Sequence, residues 1–268
     1  RDTVASGNYS HAEGCDTVAS GNYSHSEGVY SISVGVGSHS EGNSSIASGD
    51  YSHAEGSKTT ASGFNSHAEG EMTKTIGDSS HAEGISSVSE GLGSHAEGSN
   101  TYASGDSSHA EGLRCDTYGI AAHAEGGDTS AEGDYSHAEG GGTTANGMGA
   151  HAEGYCTYAQ GEDSHAEGYV TNALGDYSHT EGYCTETTNF AEHAEGMYNL
   201  SNHDEEGGSE TKTLSSIGFG NDQERKNAFE VMQNGDVYIN GIGNYNGTNA
   251  VYDEESPTSY TLQYVVNN

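Results

Sequence analysis

Histidine and glutamate recur in this chain at a spacing that brings an imidazole and a carboxylate together many times over. Histidines stand at 11, 25, 39, 53, 67, 81, 95, 109, 123, 137, 151, 165, 179 and 193, and a glutamate follows two residues after each. Three chemistries use such pairs. One is a hydrogen-bonded polar zipper. Another is a metal set, since His plus carboxylate suits zinc or nickel. The third is general acid–base catalysis. Fourteen equivalent pairs with no pocket do not make an active site, so no catalytic residue is assigned and the chain is not read as an enzyme.

The elements that position these pairs follow from the period. His-x-Glu-Gly recurs every 14 residues without insertion or deletion up to Gly196. Each period splits into Ser-His-Ala-Glu-Gly, as in Ser136 to Gly140, and Thr-x-Ala-x-Gly, as in Thr101 to Gly105. Both halves alternate with a period of two and read as short strands. Each Gly marks a tight corner where positive φ is expected. Gly and β-branched residues crowd every window, which excludes helix. The expectation is an all-β, parallel β-solenoid of 14-residue coils. Alternation puts Ser, Thr, Ala and Gly inside and points His and Glu outward. The other outward positions, such as Val4 and Ser6, Ile46 and Ser48, Lys74 and Ile76, or Tyr158 and Gln160, vary freely.

Stacked about 4.8 Å apart, like charges in one column repel by roughly 3.5 kcal/mol at an effective dielectric near 20, so each column needs the other. Within a strand, His and Glu lie about 6.5–7 Å apart, too far for a direct bond, and are expected to meet partners on a neighbouring coil or chain. An outward face that never varies suggests constant surroundings. His11, Glu13, His53, Glu55, His95, Glu97, His137, Glu139, His151, Glu153, His165 and Glu167 are therefore read as a subunit interface. The alternative reading places metal on His137, Glu139, His151, Glu153, His165 and Glu167. No cofactor is assigned. Such thin coils bury little apolar surface against an ordering cost of about 1–2 kcal/mol per residue, so self-association is the expected remedy.

Composition narrows the partners. Hydrophobics make up 31% and the formal charge is −34, which would suggest disorder but for the repeat. With 7 Lys+Arg against 41 Asp+Glu, neither nucleic acid nor an anionic membrane is an expected partner. No apolar run approaches the roughly 20 residues of a membrane span. Arg1 to Gly7 already reads like Cys15 to Gly21, so the chain is expected to begin inside the array. Cys156 and Cys184 fall two coils apart, about 9–10 Å, beyond disulfide reach, and no intrachain disulfide is expected from the four cysteines. Tyr9, Tyr23, Tyr51, Tyr135 and Tyr177 sit at the corner before Ser-His, as a packing stack or as a sugar-stacking ridge. Ice binding needs a flat Thr ladder, and outward Lys74, Glu90, Asp116 and Glu132 break it.

Over residues 1–196 the Gly-x-x-Ser-x-Ala-x-Gly pattern resembles the head repeats of YadA-like trimeric autotransporter adhesins. The Ser-His-Ala-Glu-Gly variant is similar to repeats of phage tail-fibre and tail-spike proteins. The resemblance implies a left-handed β-roll and a homotrimer. The chain departs from the adhesin heads in placing His and Glu where they usually carry aliphatic residues.

Three regions are expected: 1–196 as repeat shaft, roughly 65 Å long; 197–216 as an acidic neck with Asp204, Glu205, Glu206 and Glu210; and 217–268 as a small C-terminal cap and trimerisation knob. Asn234-Gly235 between alternating segments signals a hairpin, with Phe229, Val231, Val237 and Ile239 as cap core. Tyr260 to Val266 reads as a last strand or the start of a coiled coil. Some fibre relatives continue into a self-cleaving domain. No Ser/Lys or Ser/His pairing supports that here, and Ser256 before Pro257 is a weak candidate. The functional expectation is an extracellular, structural and adhesive fibre segment, a phage tail fibre or spike used in host attachment. A bacterial cell-surface trimeric adhesin is the alternative. Its partners would be further copies of itself and a cell-surface glycan.

Overall fold

The computed structural model describes residues 3–201, 212–235, 237–239 and 260–261. All regular structure among them is β, and the repeats form a parallel β-solenoid. The chain divides into two units, Arg1–Ala152 and Glu153–Asn268.

In the first unit each turn holds one long and one short strand, such as His53–Ser57 and Ile46–Ala47. The halves are therefore less alike than their sequences, because the His half stays paired through Gly and one residue more. Pairing is parallel and in register from coil to coil: His53 on His67, Ala54 on Ala68, Ile46 on Thr60. The interior is as thin as the alternation requires. Ala47, Ala54, Ala61 and Ala68 form one fully buried cluster. Thr59, Thr73, Ser52 and Ser66 close it with at most 1% exposure.

The corners are built differently from expectation. The backbone enters the left-handed region every seven residues, and mostly with residues other than glycine: Tyr9, Asp16, Tyr23 and Tyr30 have φ of 58°, 56°, 60° and 58°. The two glycines of a coil have separate causes. Gly56, after His-Ala-Glu, has φ +107° and lies at the surface, not inside. Gly49, in the other half, has ordinary φ, yet a Cβ there would stand 2.0 Å from the carbonyl oxygen of Gly63. Space alone demands glycine at that position. The Ser that precedes most of the repeat histidines is a corner latch. Its hydroxyl donates to the carbonyl of the Gly three residues earlier, as Ser24 to Gly21 at 2.7 Å and Ser66 to Gly63 at 2.8 Å.

The second unit continues the pattern through His193–Met197. The strand Thr213–Phe219 then pairs parallel with it, Ser215 on His193, Ser216 on Ala194 and Gly218 on Gly196. This is a fifteenth long rung that has lost its His and Glu, and it begins inside the stretch expected to be neck. Neck residues 202–211, with Asp204, Glu205, Glu206 and Glu210, lie outside the described residues, as do Ser256 and Pro257. Asn227–Met232 adds antiparallel to the rung, and Val237–Ile239 follows as the hairpin partner, with Gly235 at φ +93° in the turn. Tyr260–Thr261 pairs antiparallel with Val237–Ile239. Residues 262–266 of the expected last strand lie outside the described residues.

The cap-core expectation is corrected. Phe229, Val231 and Val237 are half-buried and Ile239 is exposed. The buried side carries Thr213, Ser216, Asn227, Glu230 and Met232. The hairpin extends a rung whose inner face continues the small, polar interior of the coils, so its larger apolar side turns outward. Side-chain amides finish the ladder. Asn199 accepts from the Glu186 N–H (2.7 Å) and donates to the Glu186 carbonyl (2.8 Å). Asn227 does the same to Leu200, at 2.8 Å both ways. Each amide stands where the next coil's peptide would be.

Candidate functional site

The conserved spacing within the chain becomes two adjacent columns because pairing is in register. In the first unit the imidazoles stack ring on ring with centroids 4.7–5.0 Å apart, and from His25 to His151 their planes lie within 5° of parallel. At several rungs Nε2 reaches the carboxylate of the preceding coil: His53 to Glu41, His67 to Glu55, His95 to Glu83 and His151 to Glu139 at 3.6 Å, His137 to Glu125 at 3.8 Å. The second unit repeats this for His165 and Glu153 at 3.7 Å, and for His179 and Glu167 at 3.3 Å. Only the 3.3 Å contact lies within hydrogen-bond reach.

Within one strand, His95 approaches Glu97 at 3.7 Å and His109 approaches Glu111 at 3.8 Å, ion-pair distances that make no direct hydrogen bond. His11 and Glu13, on the first long strand, are exposed.

About a third of each of these side chains is exposed, His53 and Glu41 both 34%. The Nε2 atoms themselves are covered, and those of His39, His53, His67, His81 and His95 have no hydrogen-bond partner. Burial first, then the charge of neighbouring imidazoles, pulls His39, His53, His109 and His137 below the ordinary histidine value. The carboxylates crowd one another in turn. Hydrogen bonding with the Glu125 carboxyl, then desolvation, holds Glu111 up at about 7. Hydrogen bonding with Glu41 pushes Glu27 up, while Glu41 is pulled down by its carboxyl neighbours Glu55 and Glu27. Beside the Glu column runs an open groove of about 490 Å³, walled by Glu41, Glu55, Glu69 and Glu83 and floored by the glycine after each.

The corner tyrosines are all exposed, from 51% at Tyr177 to 84% at Tyr9. Tyr9 and Tyr23 stack at 5.3 Å, while Tyr51 and Tyr177 meet Phe64 and Phe190 edge-on. Two further arrays escaped the sequence reading. Tyr155, Tyr169 and Tyr183 stack at 5.3 and 5.0 Å in the second unit, and their 14-residue spacing was the available signal. In the first unit Asp50, Asp78, Asp106 and Asp134 each accept the backbone N–H of Val36, Phe64, Leu92 and Ile120, one coil earlier, at 2.8–2.9 Å. Acid and apolar residue thus alternate along one corner with a period of 28. Phe64, Leu92 and Ile120 stand 46–56% exposed between the caps. No helix among the described residues is long and apolar enough to cross a membrane. All four cysteines are free.

Residues 26–52 match the family model of the YadA head domain repeat, in two copies. The same 14-residue unit, in register, runs on both sides of the match, so the repeats of this chain are YadA-like. No curated protein matches the chain.

Proposed function

We propose, from a solenoid of YadA-like head repeats, that this chain is a structural and adhesive segment of a homotrimeric surface fibre. The observation that carries this reading is the invariant His/Glu face. The side chains at the other outward positions vary, while this face holds imidazoles of which His39, His53, His67, His81 and His95 are half-buried with Nε2 atoms that find no hydrogen-bond partner within the described residues of a single chain. Residues 1–196 act as the shaft, 197–216 as the neck, and 217–268 as cap and trimerisation knob. His11, Glu13, His53, Glu55, His95, Glu97, His137, Glu139, His151, Glu153, His165 and Glu167 face the axis. Phe229, Val231, Val237 and Ile239, turned outward on the cap, are then the side that meets other copies.

The fibre works outside the cell and by contact, with no catalytic step. The Ser-His-Ala-Glu-Gly variant favours a phage tail fibre or spike in host attachment. The family match favours a bacterial trimeric adhesin. In either, the exposed tyrosine and corner aromatic arrays suit a neutral glycan, which an acidic surface does not repel. The test is the mass in solution. Sedimentation equilibrium should give about 83 kDa, three times the 27.7 kDa chain. A species of one chain at micromolar concentration would overturn the reading. A glycan array on the trimer, repeated with Tyr9→Ala and Tyr23→Ala, checks the adhesive part.

A further inference from the structure

In the His/Glu columns, three possible ligand atoms, all within 4.8 Å of one another, recur among the described residues: Glu27, His39 and Glu41 in one group, Glu41, His53 and Glu55 in the next, with nine further groups, of which some, such as His95, Glu97 and His109, hold two imidazoles and one carboxylate. The separations are diagnostic. At 3.6–4.0 Å, most Nε2–Oε1 contacts are too long for a hydrogen bond. They are close to the separation of about 3.4 Å between two ligands of one tetrahedral ion with bonds of about 2.0–2.1 Å. The Nε2 atoms of His39, His53, His67, His81 and His95 are buried and make no hydrogen bond, so in the Nδ1–H tautomer each offers the lone pair that a metal ligand needs. The groove along the Glu wall is open, so ions and the waters completing their coordination can enter.

We propose that the paired columns bind divalent transition-metal ions of the zinc class, each held by one imidazole and the two carboxylates flanking it, at one ion for every two coils. Two arguments fix that ratio independently. Successive groups share a glutamate, as Glu41 serves both His39 and His53, so neighbouring groups cannot fill separately. Charge gives the same answer: one divalent ion neutralises two carboxylates, while an ion on every coil would leave one positive charge per coil at about 4.8 Å spacing. Fourteen coils then take about seven ions. Histidine nitrogen selects a borderline ion over calcium or magnesium, which prefer all-oxygen shells. Every ligand set lies on one chain, so an ion needs no second copy to bind, although the sets occupy the face that the proposed trimer turns to its axis.

The test uses the full chain without an affinity tag, dialysed against chelator. Equilibrium dialysis with Zn2+ should saturate at about seven ions per chain, and Co2+ should develop the visible bands of a mixed nitrogen and oxygen shell. Substituting Glu41→Gln, Glu55→Gln, Glu69→Gln and Glu83→Gln together should remove about two ions. Substituting His53→Gln and His81→Gln together should remove about two as well, while Asp50→Asn and Asp78→Asn, off the columns, should remove none. Saturation at one ion or fewer, undiminished binding in both column variants, or equal occupancy by Ca2+ would overturn the proposal. Should a variant fail to fold by circular dichroism, the parent's stoichiometry and Co2+ spectrum decide alone. Sedimentation of the same samples separates ion binding from association.

Discussion

At the scale of single residues, this fold leaves little room for substitution where coils touch. Gly49 and Ser66 show two ways of being essential. Gly49→Ala would push a methyl into the Gly63 backbone, which cannot yield as a side-chain tip can. Overpacking of this kind costs about 3 kcal/mol or more, and urea melting should show it, while Ser62→Ala on the outer face should change stability by less than about 0.5 kcal/mol. Ser66→Ala removes only a latch to the Gly63 carbonyl and should cost about 1 kcal/mol. The chain itself supports part of this expectation, because Ala122 and Ala150 stand at the latch position and remain buried. The sequence announced glycine at both corners but could not say why. Positive φ at Gly56 and close approach at Gly49 leave the same letter. The left-handed corners were less legible still, since Tyr23 and Asp16 fill them without a glycine to mark the place.

At the scale of the element, the His column sets how the solenoid responds to acid. His39, His53, His109 and His137 are pulled down in the fold, so between the ordinary histidine value near 6.5 and their lowered values the unfolded chain binds more protons than the folded one. Their contribution is complete above about pH 6.5 and is lost as pH falls through the folded values. Glu111, held at about 7, acts the other way and gains stability as pH falls from 7 toward 4.5. Glu27 and Glu41 shift in opposite directions and offset each other. Four imidazoles against one carboxyl make acid destabilising on balance. In chelator, the melting temperature should fall from pH 7 to pH 5, and an unchanged value would show that the columns do not resist protonation. The ladder's end offers a second check. Asn199→Leu removes the amide that stands in for a peptide on Glu186 and should cost about 2–3 kcal/mol, by leaving a buried N–H and a carbonyl unpaired. The fifteenth rung explains why the reading stopped early. Gly218 comes 22 residues after Gly196 instead of 14, and Ser215 and Ile217 replace His and Glu. Stacking needs only the small residue and the glycine, so the backbone pattern outlasts the motif used to find it.

At the scale of the whole molecule, the strict period made the fold class readable, whereas the partner of the His/Glu face could not be read from spacing. A polar column against a second chain and a polar column against an ion demand the same residues, and only the covered Nε2 atoms that make no hydrogen bond, as in His39, His53 and His67, raise the question of what meets them. Composition adds a constraint. A formal charge of −34 repels itself in the compact state, and bringing chains together multiplies that repulsion unless their fields are screened. Two consequences can be measured on one instrument. Raising NaCl from about 20 mM to 500 mM shortens the screening length from about 20 Å to about 4 Å and should raise the melting temperature. If association stabilises the fold, melting also becomes concentration-dependent, because mass action favours the assembled native state. A hundredfold dilution should then lower the melting temperature at either salt concentration. Salt sensitivity with no dependence on concentration would place the whole stabilisation inside one chain, and the His/Glu face would have to be satisfied without a second copy.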